Sequence, residues 1–346
     1  FFDKWERLPN LIMRRGNNIC WTNRRHIVSK CVTAEAIPKG VDPERGVRIL
    51  AAQGCGWGRC AFCDLPFLEN SGKRFMRFKN THRLAREIIA ADRLMTGSSI
   101  SLKAAYLRPE DIRVLSKELQ GEKLRNSLSL FLRCDVQQHD KTLFIKLASL
   151  GDVAVTFGVE SLSDRTLRSM RKGYTAATAV NAIRAAGEAG LKVHINLIAG
   201  FPGESLEDVH RTRAALKEIC PYIVAVHISP FHLSMWSQMA SELKAYPIKI
   251  LPEKRRLLSF LMPFMNLRPT AAEQHAIMRC YKQIEKMCAR MIHARLAIMT
   301  AQPHKEILLR LHPGTRFAKM RYGYRLSGIR RNAKRTYAPR PVVHLE

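Results

Sequence analysis

Acidic residues are scarce in this chain. Asp and Glu number 29 against 58 Lys and Arg in 346 residues, a formal net charge of +29. A chain so short of carboxylates attracts polyanions: RNA, DNA or an anionic membrane surface. The bland counterpart is a solvated basic surface with no specific partner, since basicity alone supports only nonspecific binding. Long hydrophobic runs are missing too. No stretch reaches the ~18 apolar residues that a membrane-spanning helix needs. The opening FFDKWERLPNLIMRRG is too charged for a secretory signal. A cytoplasmic protein is the expectation, and Phe1 in place of Met makes the sequence read as a fragment or a processed product. Internal repeats and low-complexity tracts are absent. Cysteines number nine, too few and too odd for a disulfide scaffold.

Three of those cysteines are nevertheless crowded. GCGWGRCAFCDLPF (54–67) holds Cys55, Cys60 and Cys63 in a C-x4-C-x2-C run. The other six, Cys20, Cys31, Cys134, Cys220, Cys280 and Cys288, are scattered and read as buried small hydrophobes. Clustered thiolates bind zinc or iron–sulfur clusters. A structural zinc ion wants a fourth ligand, and the nearest histidines, His26 and His82, lie outside the loop. Zinc sites also usually show paired C-x2-C knuckles, of which there is one here. Three thiolates on a four-iron cluster leave one iron open to chelate a ligand and pass it an electron. Gly54, Gly56 and Gly58 let the backbone wrap closely around a bulky inorganic core. Iron–sulfur, zinc and coincidence all stay open at this level.

Strands and helices alternate after about residue 46. Strand-like segments are VRILAA (47–52), SSISLKAAYL (98–107), SLSLFLRCDV (127–136), VAVTFGVE (153–160), KVHINLIAGFPGE (192–204, strand and loop) and YIVAVHISPF (222–231). Between them, helical spacing runs over 80–95, 108–120, 140–151, 163–170, 175–190 and 205–219. Pro109 suits a helix start, Ser163, Thr175 and Ser205 suit N-caps, and Gly151 and Gly190 suit C-termini. Six strands alternating with helices predict a parallel α/β fold, a partial (β/α)6 TIM-like barrel over 47–245. The strands read as apolar on both faces, as in a sheet covered by helices. Ligands of such folds collect at the strand C-termini, where the cysteine loop, RCD, GVES and NLIAGFPGE all fall. Residues 1–46 read as a basic arm or the remnant of an upstream domain.

A basic, mainly helical region is expected over 246–346. It contains one long helix (269–299) with a Thr270–Glu273 capping box and an apolar stripe of Ile277, Tyr281, Ile284, Met287, Met291 and Leu296. From Thr315 to Arg340 Lys and Arg interleave with aromatics and no acid, which suits phosphate contact and base stacking or a basic tail without structure.

The cysteine loop after the first strand, ending Cys60-Ala61-Phe62-Cys63, resembles the radical S-adenosylmethionine (radical SAM) superfamily. FGVESLSDRTLRSMRKGYTAATAVNAIRAAGEAGLKVHINLIAGFPGES (157–205) is similar to the fourth-to-fifth-strand region of that superfamily, in particular to the branch with cobalamin-dependent enzymes and maturases of ribosomally made peptides. FHLSMWSQMA (231–240) resembles the sixth-strand region of the same branch. The resemblance implies that Cys55, Cys60 and Cys63 ligate a [4Fe–4S] cluster whose open iron takes the methionyl amino and carboxylate groups of S-adenosylmethionine. It places Phe62 near the adenine, Arg133 and Lys172 at the methionyl end, Glu160 on the cofactor, Asn196 on the ribose and Gly200 where backbone approaches the adenine. It implies a flavodoxin- or ferredoxin-like electron donor and a peptide or RNA substrate. A cobalamin-binding domain would need far more than 46 residues and is expected only upstream of this sequence. Two departures stand out: the usual spacing is C-x3-C-x2-C, and Lys103 and Ala104 replace a Gly-Gly-Glu-like stretch that holds the amino group. From residues alone, Glu160 could cap a helix, Arg133 and Lys172 could be surface cations, Asn196 could satisfy strand-end backbone, and GFPGE could be a turn. The alternative to an enzyme is a basic RNA-binding protein with a structural metal site.

Overall fold

Six short segments pair side by side in the order in which the chain visits them. They are β1 (Val47–Leu50), β2 (Ser99–Lys103), β3 (Ser127–Leu132), β4 (Val153–Glu160), β5 (Lys192–Ala199) and β6 (Ile223–Pro230). Every ladder is parallel, and the sheet order is β1-β2-β3-β4-β5-β6. This is a computed structural model that describes residues 12–15, 18–21, 46–70, 76–94, 97–135, 142–251 and 260–301. Among them no ladder joins β6 to β1, so the barrel is partial. The basic tail from Thr315, His26 and Cys31 lie outside the described residues, as does most of the N-terminal arm.

Helices α1 (Leu65–Asn70), α2 (Thr81–Leu94), α3 (Pro109–Glu118), α4 (Leu143–Ala148), α5 (Asp164–Ser169), α6 (Ala176–Glu188), α7 (Leu206–Ile219), α8 (Gln238–Ser241) and α9 (Ala271–Ala301) complete the main architecture. Their ends follow local chemistry. Pro109 opens α3, Thr175 Oγ1 accepts from the Thr178 N–H, and Ser205 and Asp208 form a reciprocal capping box on α7. Thr270 and Glu273 do the same on α9. Ser163 stands at the N-cap of α5 but makes no side-chain cap, because its hydroxyl donates to Asp208 at 2.6 Å.

The strands are not apolar on both faces. Burial alternates strictly along β4 and β5, with Val153, Val155, Phe157 and Val159, then Val193, Ile195, Leu197 and Ala199, packed in the core beneath the helices. Many of the opposite positions are polar or small, among them Ser99 and Ser101, Ser127 and Ser129, Thr156 and Gly158, and Asn196, with Phe131 and Ile198 as large apolar members of that face. The apolar reading missed this because short hydroxyl side chains sit between bulky aliphatics without breaking a hydrophobic average. The outer face carries the core, and the inner face is left for hydrogen bonding. Helix α9 belongs to the same core, through Ile277, Cys280, Tyr281, Ile284, Cys288 and Ile292.

Candidate functional site

The cysteine loop leaves the sheet at the C-terminal end of β1. The Ala51 N–H still donates to Lys103 O at 3.0 Å, and Ala52–Gly54 then pairs antiparallel with Met76–Phe78. That ladder closes the base of the loop. The loop itself is pinned by backbone groups from two other parts of the barrel. From the α5–α6 connection, Met170 O accepts from the Ala61 N–H at 3.0 Å and Arg171 O accepts from Trp57 Nε1–H at 3.0 Å. From α8, Gln238 Nε2 donates to Gly58 O at 2.9 Å and the Met239 N–H donates to Ala61 O at 2.8 Å. Within the loop, the Gly58 N–H points at Cys55 Sγ at 3.4 Å. Gly173 is needed where it stands: its φ is +77°, and a Cβ there would lie 2.2 Å from the Trp57 ring.

Cys55, Cys60 and Cys63 are all free thiols and all half-buried. Burial pushes the Cys63 thiol up to about 12. It pushes Cys60 up as well, against the pull of the Lys172 and Arg133 cations. Cys55 and Glu160 add to the rise at Cys60, and Cys60 and Cys55 add to that at Cys63. Burial therefore keeps these thiols protonated, and coordination to a metal would be what makes their ionisation favourable. Among the described residues, no three His, Cys, Asp or Glu side chains converge on a single-ion site.

The structure brings four further sequence-predicted residues to this loop. Lys172 is buried and Glu160 half-buried, Nζ to Oε1 3.5 Å, so Glu160 is not a helix cap and Lys172 is not a surface cation. Burial pushes the Glu160 carboxyl up while Lys172 pulls it down. Glu160 has φ +67°, a left-handed conformation rare for a side chain of its size, and its carboxylate folds back over Gly158. Lys172 Nζ lies 5.8 Å from the Phe62 ring. Arg133 makes a bidentate pair with Asp135 (2.9 and 2.8 Å), donates to Lys172 O at 2.9 Å, and lies 4.6 Å from the Trp57 ring. Cysteines, Phe62, Arg133, Glu160 and Lys172 thus form one constellation.

Asn196 and Gly200 stand on the neighbouring strand. Asn196 lies on the inner face of β5, in register with Gly158 of β4 and His227 of β6. Gly200 follows β5 with φ +75°, and its N–H donates to Glu204 Oε2 at 2.9 Å. Glu204 was missed in the sequence, where GFPGE reads as a turn. It is 1% exposed, and its other oxygen accepts from Tyr281 of α9 at 2.7 Å. Burial drives its carboxyl up to about 7 despite those two donors. Gly200 and Glu204 line a pocket with Phe201, Phe231, Gln274 and Met278. Trp57 and Gly173 were missed as well; their signal was only composition, an aromatic and a glycine within quoted motifs. Tyr106 is a third: its hydroxyl would lie 2.8 Å from a Cβ on Gly56, beside Cys55.

Residues 49–216 match the model of the radical SAM superfamily. Over these residues the chain is similar to that superfamily. A protein of Methanocaldococcus jannaschii that bears the name methylthiotransferase is 31% identical over 193 residues, 51% of this chain and 41% of the relative. The heme chaperone HemW of Buchnera aphidicola is 27% identical over 128 residues, 36% of this chain and 31% of its own length. The chain therefore spans well under half of either curated relative. The cobalamin-dependent radical enzyme OxsB, solved with aqua-cobalamin and S-adenosylmethionine, superposes with TM-score 0.55 at 12% identity, covering 69% of this chain and 41% of that one. At that identity the likeness is one of fold. Radical SAM proteins bind a [4Fe–4S] cluster and S-adenosylmethionine. The donor set fits such a group: three free half-buried thiols, a glycine-rich loop pinned at its carbonyls, and two cations to balance thiolate charge. No helix among the described residues is long and apolar enough to cross a membrane.

Proposed function

We propose that this chain is the core of a radical SAM enzyme that acts on a peptide or another macromolecule. The observation that carries the reading is the placement of Cys55, Cys60 and Cys63 on a pinned loop beside the Lys172–Glu160 pair and Arg133. Those three cysteines would hold the cluster. Bound there and reduced, such a cluster would supply the one-electron chemistry for reductive cleavage of S-adenosylmethionine and hydrogen-atom abstraction from substrate.

The chain's own residues prepare that chemistry. Lys172 and Arg133 place positive charge where thiolates and a methionyl carboxylate gather, in a desolvated setting that strengthens both attractions. Phe62, between the last two cysteines, offers an apolar face to the adenine. Glu160, held by Lys172, is positioned to accept from an ammonium or a ribose hydroxyl. Asn196 presents an amide from the inner face, and Gly200 has no side chain to keep a ligand from its backbone. The reaction needs an external donor of electrons, of the flavodoxin or ferredoxin kind. Any cobalamin would be bound by a domain outside this sequence; OxsB is named as a cobalamin-dependent enzyme and shares the fold.

A second substrate reading, RNA, is favoured by one observation. The inner face carries hydroxyls from Ser99, Ser101, Ser127 and Ser129 together with the exposed cation Lys103, a lining that suits phosphate and sugar groups.

The test is anaerobic reconstitution with iron and sulfide, reduction with dithionite, addition of S-adenosylmethionine and assay for 5′-deoxyadenosine. The wild type should form it and Cys60→Ala should not. Zinc uptake without iron would overturn the proposal and favour a non-enzymatic RNA-binding protein with a structural metal.

A further inference from the structure

Two cysteines that read from the sequence as isolated hydrophobes are in contact. Cys220 closes α7, where the chain turns through Cys220–Tyr222 into β6, and Cys288 lies on α9. Their Sγ atoms are 3.7 Å apart, and the residues are 2% and 1% exposed. Two turns along α9, Arg295 donates to the carbonyls of Pro221 and Ile223, the latter at 2.8 Å, so a guanidinium is fixed beside Cys220. The hydrogen bond shared with Cys288, and then Arg295, hold the Cys220 thiol below its usual range, whereas Cys288 is pushed well above it. Where an oxidant gains access, an acidified thiol beside a cation is the attacking partner and a protonated neighbour the resolving one, so at 2% and 1% exposure the reaction waits on local opening of this corner.

We propose that Cys220 and Cys288 form a redox modification site, converted by a peroxide-class oxidant to a disulfide that staples α9 to the α7–β6 corner. The Cys220 thiolate attacks a peroxide oxygen and the O–O bond breaks. Cys220 becomes a sulfenic acid, and the departing hydroxide takes a proton and leaves as water. Cys288 then loses its proton, its sulfur attacks the Cys220 sulfur, the S–O bond breaks and a second water leaves. Two thiols give up two electrons, the peroxide receives them, and no other reactant is consumed. The sulfurs must close from 3.7 Å to a bonded separation of about 2.05 Å.

The staple has a consequence for the candidate site. Helix α9 also carries Tyr281, which donates to Glu204, and Glu204 holds the Gly200 N–H. A covalent tie at Cys288 restrains the helix that seats this chain of hydrogen bonds. Oxidation would therefore add a covalent restraint to a turn whose hydrogen bonds are already formed with both thiols free. This inference stands on the α7–α9 geometry and is independent of the proposed radical chemistry.

The experiment treats the purified chain briefly with hydrogen peroxide, blocks free thiols and maps peptides by mass spectrometry without reduction. The expected result is a cross-linked Cys220–Cys288 peptide pair in the majority of chains, lost on treatment with dithiothreitol. The oxidised chain should melt several degrees higher than the reduced one, and Cys288→Ser should leave a sulfenic acid at Cys220 that dimedone traps. If the substitution prevents folding, the wild-type map alone decides. Cys220 and Cys288 recovered as free thiols, or oxidised separately, or each joined to another cysteine, would overturn the proposal.

Discussion

Single residues carry much of the site's precision, and Gly173 shows how. Its backbone is left-handed and its missing side chain makes room for Trp57, whose indole is tied to Arg171 O. Gly173→Ala should cost about 1–3 kcal/mol through overpacking and should lower iron uptake on reconstitution. Trp57→Ala in the same chain should return part of the stability, because it removes the ring that the new methyl meets. Denaturant unfolding and iron analysis of the three variants check this; equal stability of Gly173→Ala and wild type would contradict it. The cysteines were legible in the sequence because three thiols at short spacing are rare. Glu204 was not, because a buried acid hydrogen-bonded across 77 residues to Tyr281 leaves no local pattern.

At the scale of elements, Glu204 links the turn after β5 to α9. Its carboxyl, ordinarily near 4.5, is raised to about 7 by burial. A carboxyl raised in the folded state favours folding while protonated, so this contribution is full below about pH 4.5 and is lost as pH rises through about 7. The difference corresponds to about 3 kcal/mol. Unfolding measured at pH 5 and pH 8 should show the wild type losing stability relative to Glu204→Gln by an amount of that order, and a constant difference between the two would refute the assignment. Strand and helix positions were read well, since capping residues such as Thr175 and Ser205 act within one turn of their own sequence. The polarity of the inner face was read poorly. Ser99, Ser101, Ser127 and Ser129 alternate with buried Ile100, Leu102, Leu128 and Leu130, and an average over such a strand looks apolar.

For the whole molecule, the excess of 58 basic over 29 acidic residues is its broadest property. If RNA is the substrate, binding should weaken steeply with salt, the logarithm of affinity falling linearly with that of salt concentration. Filter binding of a single-stranded RNA across a salt series measures the slope, and no detectable binding at low salt would leave a peptide as the substrate to pursue. The sequential strand order was predictable because right-handed crossovers between neighbouring parallel strands admit few alternatives. The substrate was not, because it depends on which groups the inner face presents. The most direct test of the account is the low-temperature electron paramagnetic resonance spectrum of the reconstituted, reduced chain with and without S-adenosylmethionine. An iron–sulfur signal that shifts when S-adenosylmethionine is added is the expected result, because three cysteines leave one iron to take the ligand. No iron–sulfur signal, or one that S-adenosylmethionine leaves unchanged, would contradict the central claim.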